Sequence, residues 1–340
     1  MNKVFFISLI LISGSILSFK NVNTETINPI ELPKKWPNPI YQFKNNSFTE
    51  AGFILGRKLF YETKISRDNT TSCATCHLQF TGFAHVDHSV SHGIEGRKGT
   101  RNAPALINLI WNNSFNWDGG VNHLEVQPIN PIEHHAEMDN SLQNVLSFLN
   151  SSKTYKHLFE AAFGDSTINT SRLLKSMTQF TASLISSNSR YDQYKRKEIQ
   201  LSPQEKNGMK LFKKNCNSCH TAPLFNTNTF ESNGLPIDSI YNDLGRYLVS
   251  QKGSDSLKFR VPTLRNIEFT FPYMHDGRFK QLREVLDHYT DGIDYKSNTL
   301  SEGLRKRIVL TSNDKKDLIA FLKTLTDKEF LYNKQFSFPR

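Results

Sequence analysis

Long apolar runs are nearly absent from this chain. The one that exists, from Val4 to Leu17, is too short to cross a bilayer comfortably, and a polytopic membrane protein is excluded. Cysteine is scarce at 4 residues and glycine stands at 17, which excludes a disulfide scaffold and a collagen-like repeat. Acidic side chains are outnumbered, 32 to 42, leaving a formal charge of +10. The lysines and arginines are scattered without a dense run, so nucleic acid is not an expected partner. What remains is an ordinary soluble composition, 37% hydrophobic and 22% charged, with 25 Phe and 11 Tyr to fill cores and clefts. At 340 residues the chain has room for about two domains.

Lys3 followed by the apolar run reads as a secretory signal over residues 1–20, with a retained anchor helix as the alternative. No cysteine follows the run, which excludes a lipoprotein. The expected compartment is therefore the periplasm.

Export raises the expectation of disulfides, but the cysteines are arranged for something else. They fall in Cys73-Ala74-Thr75-Cys76-His77 and Cys216-Asn217-Ser218-Cys219-His220. Each is Cys-x-x-Cys-His, the attachment pattern of a c-type haem. Two thiols three positions apart on a helical turn can form thioethers to both vinyl groups of one haem, and the next residue, His, sits under the iron as proximal ligand. Zinc would require four ligands gathered together, and a thioredoxin-like pair has no need of the His. The expected cofactors are two covalently bound haem c groups.

The sequence around the motifs repeats. Gly56-Arg57-Lys58-Leu59-Phe60 precedes the first, and Gly208-Met209-Lys210-Leu211-Phe212 the second. Pro104-Ala105-Leu106-Ile107-Asn108 leads to Asp118-Gly119, as Pro262-Thr263-Leu264-Arg265-Asn266 leads to Asp276-Gly277, with a Pro-to-Asp separation of 14 in both copies. The expected fold is mostly α, with two cytochrome c-like domains related by duplication, each carrying one covalent haem. Residues 21–190 form the first domain and 191–340 the second, with a boundary near Ser189–Leu201 and a C-terminal tail able to pack back on the first domain. Helical periodicity covers Thr49–Tyr61, Ser141–Phe163, Ser171–Ser186, Pro203–Lys213, Leu282–Tyr289 and Asn313–Thr324. The long, weakly patterned segments 79–131 and 221–272 read as loops wrapping haem.

Further motifs occur in order: Ser89-Val90-Ser91-His92-Gly93, Gly99-Thr100-Arg101-Asn102-Ala103-Pro104, Trp117-Asp118-Gly119, Pro131 through Glu137-Met138, Val261 through Asn266, and Pro272-Tyr273-Met274-His275-Asp276-Gly277. With them the chain resembles the bacterial di-haem cytochrome c peroxidases and their MauG-like relatives, from about Gly52 to Leu325. The resemblance implies a peroxide-reacting first haem and an electron-accepting second haem, with His77 and His220 as proximal ligands. His92 falls at the place of a distal His that caps the first iron at rest, with His85 and His88 as competitors nearby. Glu137 matches the acid over the peroxide site and Gln127 its neighbour; Glu133, His134 and His135 are alternative proton carriers. A desolvated carboxylate can move a proton between the two peroxide oxygens. Trp117 matches an electron relay between the haems, although a buried core indole needs no such role. Asn102, with backbone oxygens of Thr270 and Pro272, would hold calcium, a metal suited to oxygen-only ligation.

The resemblance is mixed at the second haem. The peroxidases usually place a Met as sixth ligand, whereas the matching position here is Tyr289, the MauG-like pattern. Met274, the only Met beyond Cys216, and His288 are the alternatives. MauG-like enzymes do not usually keep a His at the position of His92. The leading expectation is a peroxidase that reduces hydrogen peroxide with electrons from a small periplasmic cytochrome c or cupredoxin, and a homodimer is implied by resemblance alone. The alternatives are a MauG-like enzyme that oxidises a partner protein's Trp or Tyr, and a non-catalytic di-haem electron carrier.

Overall fold

The computed structural model describes residues 30–339, and the signal expected over residues 1–20 lies outside them. The fold is mostly helical, and its only paired strands among the described residues are the two-residue segments Phe230–Glu231 and Phe259–Arg260, antiparallel to each other. No helix of the described residues is long and apolar enough to cross a membrane.

In the first half, helix α1 (Glu50–Phe60) is capped by Thr49, whose hydroxyl accepts from the Gly52 N–H. The stretch expected as one helix over Ser141–Phe163 is two, α2 (Leu142–Ser151) and α3 (Lys153–Phe163). Ser152 is extended, and its hydroxyl caps α3 through the Tyr155 N–H. Serine competes for backbone hydrogen bonds in this way, a local effect that apolar periodicity does not register. Helix α4 (Thr170–Ala182) follows and ends four residues short of the expected Ser186. The expected boundary stretch contains a helix of its own, Arg190–Lys195, with a Ser189–Asp192 capping box. In the second half lie α5 (Pro203–Asn215), α6 (Leu282–Asp287) and α7 (Ser312–Lys323).

The repeated Gly-x-x-Leu-Phe segments share one packing solution. Helix α1 packs on α4 and α5 on α7. A Cβ at Gly56 would overlap the carbonyl oxygen of Ser176, and one at Gly208 that of Asp317, so in both halves glycine lets two helix backbones touch. Four residues on, Phe60 meets Phe180 at 4.9 Å between ring centroids and Phe212 meets Phe321 at 5.1 Å. The Asp-Gly loops also match. Phe115 bridges Val121 around the first, Tyr273 bridges Phe279 around the second, and Gly119 and Gly277 adopt φ of 68° and 65°.

The halves are tied together by chain as well as by contact. The C-terminal Phe330, Leu331 and Phe336 join Phe53, Phe60, Phe83 and Phe180 in one core cluster, and the Tyr61 hydroxyl donates to the Phe336 carbonyl at 2.8 Å. Arg265, fully buried and held by two hydrogen bonds of 2.8 Å to Asp192, lies over the Trp36 ring of the first half, 4.5 Å from its centroid. Arg101 joins Asp243 at 2.6 Å to Asp118 at 2.5 Å, and so links the long loops of both halves.

Candidate haem sites and the path between them

Cys73–Cys76 is a single helical turn, opened by the Ser72 N–H on Thr75 Oγ1 at 3.1 Å and continued by the His77 N–H on the Cys73 carbonyl at 2.9 Å. Both sulfurs and the His ring therefore leave one turn of backbone. His77 Nδ1 lies 2.7 Å from the Phe83 carbonyl. A carbonyl only accepts, so Nδ1 carries the proton and the Nε2 lone pair is left for a metal. Burial lowers this imidazole to about 4, which keeps it neutral, as a ligand must be. The second motif repeats the arrangement, with His220 Nδ1 3.1 Å from the Phe225 carbonyl and its pKa lowered by burial to about 4.

At the first motif the 92–94 segment lies between the cysteines and Glu137. Cys76 Sγ donates to the His92 carbonyl at 3.3 Å, and the Ile94 N–H donates to the Glu137 carbonyl at 2.8 Å. Gly93 has no room for a side chain against the Glu137 backbone. Burial raises the Glu137 carboxyl to about 6, and its charge is felt by both Cys73 and Cys76. The alternatives Glu133, His134 and His135 are all exposed. Gln127 is half-buried at the end of the turn Leu124–Val126 and makes no side-chain hydrogen bond among the described residues. The His92 ring does not point alone into the site: its Nε2 is 3.0 Å from His88 Nδ1, with His85 against both.

The second motif opens on an apolar cavity of about 220 Å³, lined by Cys216, Cys219, His220, Leu286, Leu318 and Leu322. Both Tyr289 and Met274 border it, and so does Asn233, which donates to Met274 Sδ at 3.4 Å. Burial pushes the Tyr289 phenol up to about 12, with the Asn233 amide acting to lower it and the two cysteines of the motif contributing to the rise. Tyr289 sits in a π-helical turn, His288–Gly292, that extends α6. Buried Lys315 fixes this turn through Asp287 and Thr290, each at 2.7 Å. His288 is absent from the residues lining the cavity, and its Nε2 lies 3.0 Å from the Asn233 carbonyl.

The same cavity reaches Trp117, Asn102, Thr270 and Pro272. The Trp117 indole N–H donates to the Asn102 carbonyl at 2.8 Å, and the Asn102 amide donates to the Ser89 carbonyl at 3.1 Å. Arg260 was not singled out by sequence reasoning. It is buried on this wall, its Nε donates to the Asn116 carbonyl at 3.2 Å, and it has no acidic partner among the described residues. Burial alone lowers it to about 10. A charge between Phe259 and Val261, just before Pro262, was the available signal.

These features fit a haem at each motif. Paired thiols and a neutral His with a free Nε2 recur twice, and at the second an apolar cavity carries a buried guanidinium, Arg260, that could pair with a haem carboxylate. The chain belongs to the di-haem cytochrome c peroxidase family, whose model matches residues 50–200. It is 30% identical to the methylamine utilization protein MauG of Methylorubrum extorquens, over 92% of this chain and 89% of that one. It is 31% identical to the cytochrome c551 peroxidase of Pseudomonas aeruginosa, over 87% and 84%. Among solved structures it resembles a MauG-like protein associated with microbial copper homeostasis, with a TM-score of 0.84 and 32% identity over 92% of this chain and 99% of that one. A peroxidase-family oxidoreductase with two haem c groups follows from this membership.

Proposed function

We propose that this protein is a periplasmic peroxidase that reduces hydrogen peroxide to water at the first haem site, with electrons entering at the second from a small cytochrome c or cupredoxin. The observation that carries the reading is Glu137, a carboxyl withdrawn from water beside Cys73–His77 with its pKa raised to about 6. Near neutral pH it is mostly ionised and accepts a proton from one peroxide oxygen. On returning that proton to the other oxygen it lets the O–O bond break with loss of water. Two electrons and two protons complete the conversion of one peroxide to two waters. The bound haems supply the iron centres at which electrons are stored and delivered.

Gln127 is assigned to positioning peroxide beside Glu137, and Trp117 to carrying electrons across the wall between the sites. Supporting the second role, the indole borders the second cavity and the Trp117 carbonyl accepts from the Arg260 N–H at 2.7 Å. His92 is assigned to capping the first iron at rest. Asn102 and the carbonyls of Thr270 and Pro272, all on the same cavity, are assigned to a calcium ion. Tyr289 is assigned as sixth ligand of the second haem, and its place on the cavity favours one further reading, MauG-like oxidation of a partner's Trp or Tyr.

One equivalent of hydrogen peroxide is added to the fully oxidised protein and then to the one-electron-reduced protein, with absorbance and EPR followed in each. Reaction only after reduction is expected of a His92-capped peroxidase. Prompt reaction of the oxidised form would favour the MauG-like reading. No reaction in either state would leave an electron carrier.

A further inference from the structure

We propose that His85, His88 and His92 form a binding site for a divalent transition-metal ion of the zinc or copper class, separate from the two haem irons. One ligand nitrogen from each ring lies within 4.8 Å of the other two. His88 and His92 are already at hydrogen-bonding distance, 3.0 Å, and all three rings touch, with centroids 4.3 to 5.4 Å apart. Zinc–imidazole bonds of about 2.0–2.1 Å bring ligand nitrogens to roughly 3.3 Å from one another in a tetrahedron, so modest ring rotations suffice.

A second observation points to a ligand. His85 is only 3% exposed, and its Nδ1 is buried with no hydrogen-bond partner. A buried polar nitrogen left unpaired is costly, and metal coordination through that nitrogen would remove the deficit. Imidazole-only donor sets suit zinc and copper and disfavour calcium or magnesium. Three histidines leave the fourth tetrahedral position to water, and His88 is exposed, so the site is open and the ion exchangeable.

The site bears on the first haem through one atom. His92 Nε2 faces His88 here, and the same nitrogen would bond the first iron in the capped state. It cannot do both, so metal binding would hold the first iron open without reduction. This consequence, unlike the site itself, rests on the assignment of His92 as the cap.

The test titrates Zn2+ into the oxidised holoprotein, freed of adventitious metal and replenished with calcium, by calorimetry with EPR of the first haem in parallel. Expected is one zinc per chain, bound at least about tenfold more weakly by His88→Ala and equally well by the control His157→Ala, with the first haem passing from low to high spin as zinc binds. His88 is exposed, and an unaltered haem spectrum confirms that its variant is folded. His92→Gln, a second variant, weakens zinc binding as well. No zinc binding, or binding indifferent to both variants, would overturn the site. Zinc bound as expected with the haem signal unchanged supports the site and overturns His92 as the cap.

Discussion

The indole N–H of Trp117 donates to the backbone carbonyl of Asn102 at 2.8 Å, and the Asn102 N–H in turn donates to the carbonyl of His275 at 2.7 Å. Two loops of the first half and one of the second are thus locked around the cavity that serves the second haem motif. The indole on this cavity wall is thus anchored by a main-chain carbonyl.

Glu137→Gln removes the proton carrier while keeping the shape. Peroxide turnover is expected to fall roughly 10²–10⁴-fold, with both haem spectra unchanged. In the parent protein the rate should also fall as pH drops through about 6, because the raised pKa means that the carboxylate is protonated below that point. A stopped-flow pH series checks both, and the Gln variant should lose this acid limb.

Tyr289→Phe and Met274→Leu distinguish the two side chains that border the second cavity with Asn233. With Tyr289 as the ligand, its Phe variant raises the midpoint potential of the second haem, because a phenolate stabilises ferric iron. Met274→Leu should leave the potential nearly in place. Spectroelectrochemical titration of both variants decides.

Arg260→Gln removes a buried cation that has no acidic partner among the described residues. The second haem's potential should fall, since a nearby positive charge favours the reduced iron. The first haem's potential serves as the internal control. Equal shifts in both haems would count against a local role.

Gly208→Ala places a methyl group on the carbonyl of Asp317 at the α5–α7 crossing. Overpacking of this kind costs about 1–3 kcal/mol or more, and Gly56→Ala at the α1–α4 crossing should do the same. Denaturant titration of the holoprotein reads the loss.

Asp192→Asn leaves Arg265 buried without its counter-charge. Breaking one side of such a pair destabilises by about 3–5 kcal/mol. Because Arg265 also lies over the Trp36 ring, 4.5 Å from its centroid, a change in tryptophan emission should accompany the loss of stability.

The sequence by itself determined the two Cys-x-x-Cys-His turns and most of the helices. Cys-x-x-Cys-His spaces two sulfurs and an imidazole along one turn, and the repeated Gly56–Phe60 and Gly208–Phe212 segments were visible in the sequence, whereas the helix crossings at Gly56 and Gly208 came from the structure. The main helices were legible from apolar periodicity, apart from the break at Ser152, where a hydroxyl competing for backbone donors outweighed the pattern. Tertiary structure alone decided which polar groups lose water. Glu133 and Glu137 are the same residue type four positions apart, yet only the second is desolvated, because the 92–94 segment folds over it. His288 and Tyr289 are adjacent, yet a π-helical turn sends one to a backbone carbonyl and the other to the cavity. The grouping of three histidines and the unpaired charge of Arg260 likewise arise from loops closing on one another. Solvent exclusion depends on contacts between distant segments, and no spacing within a segment encodes it.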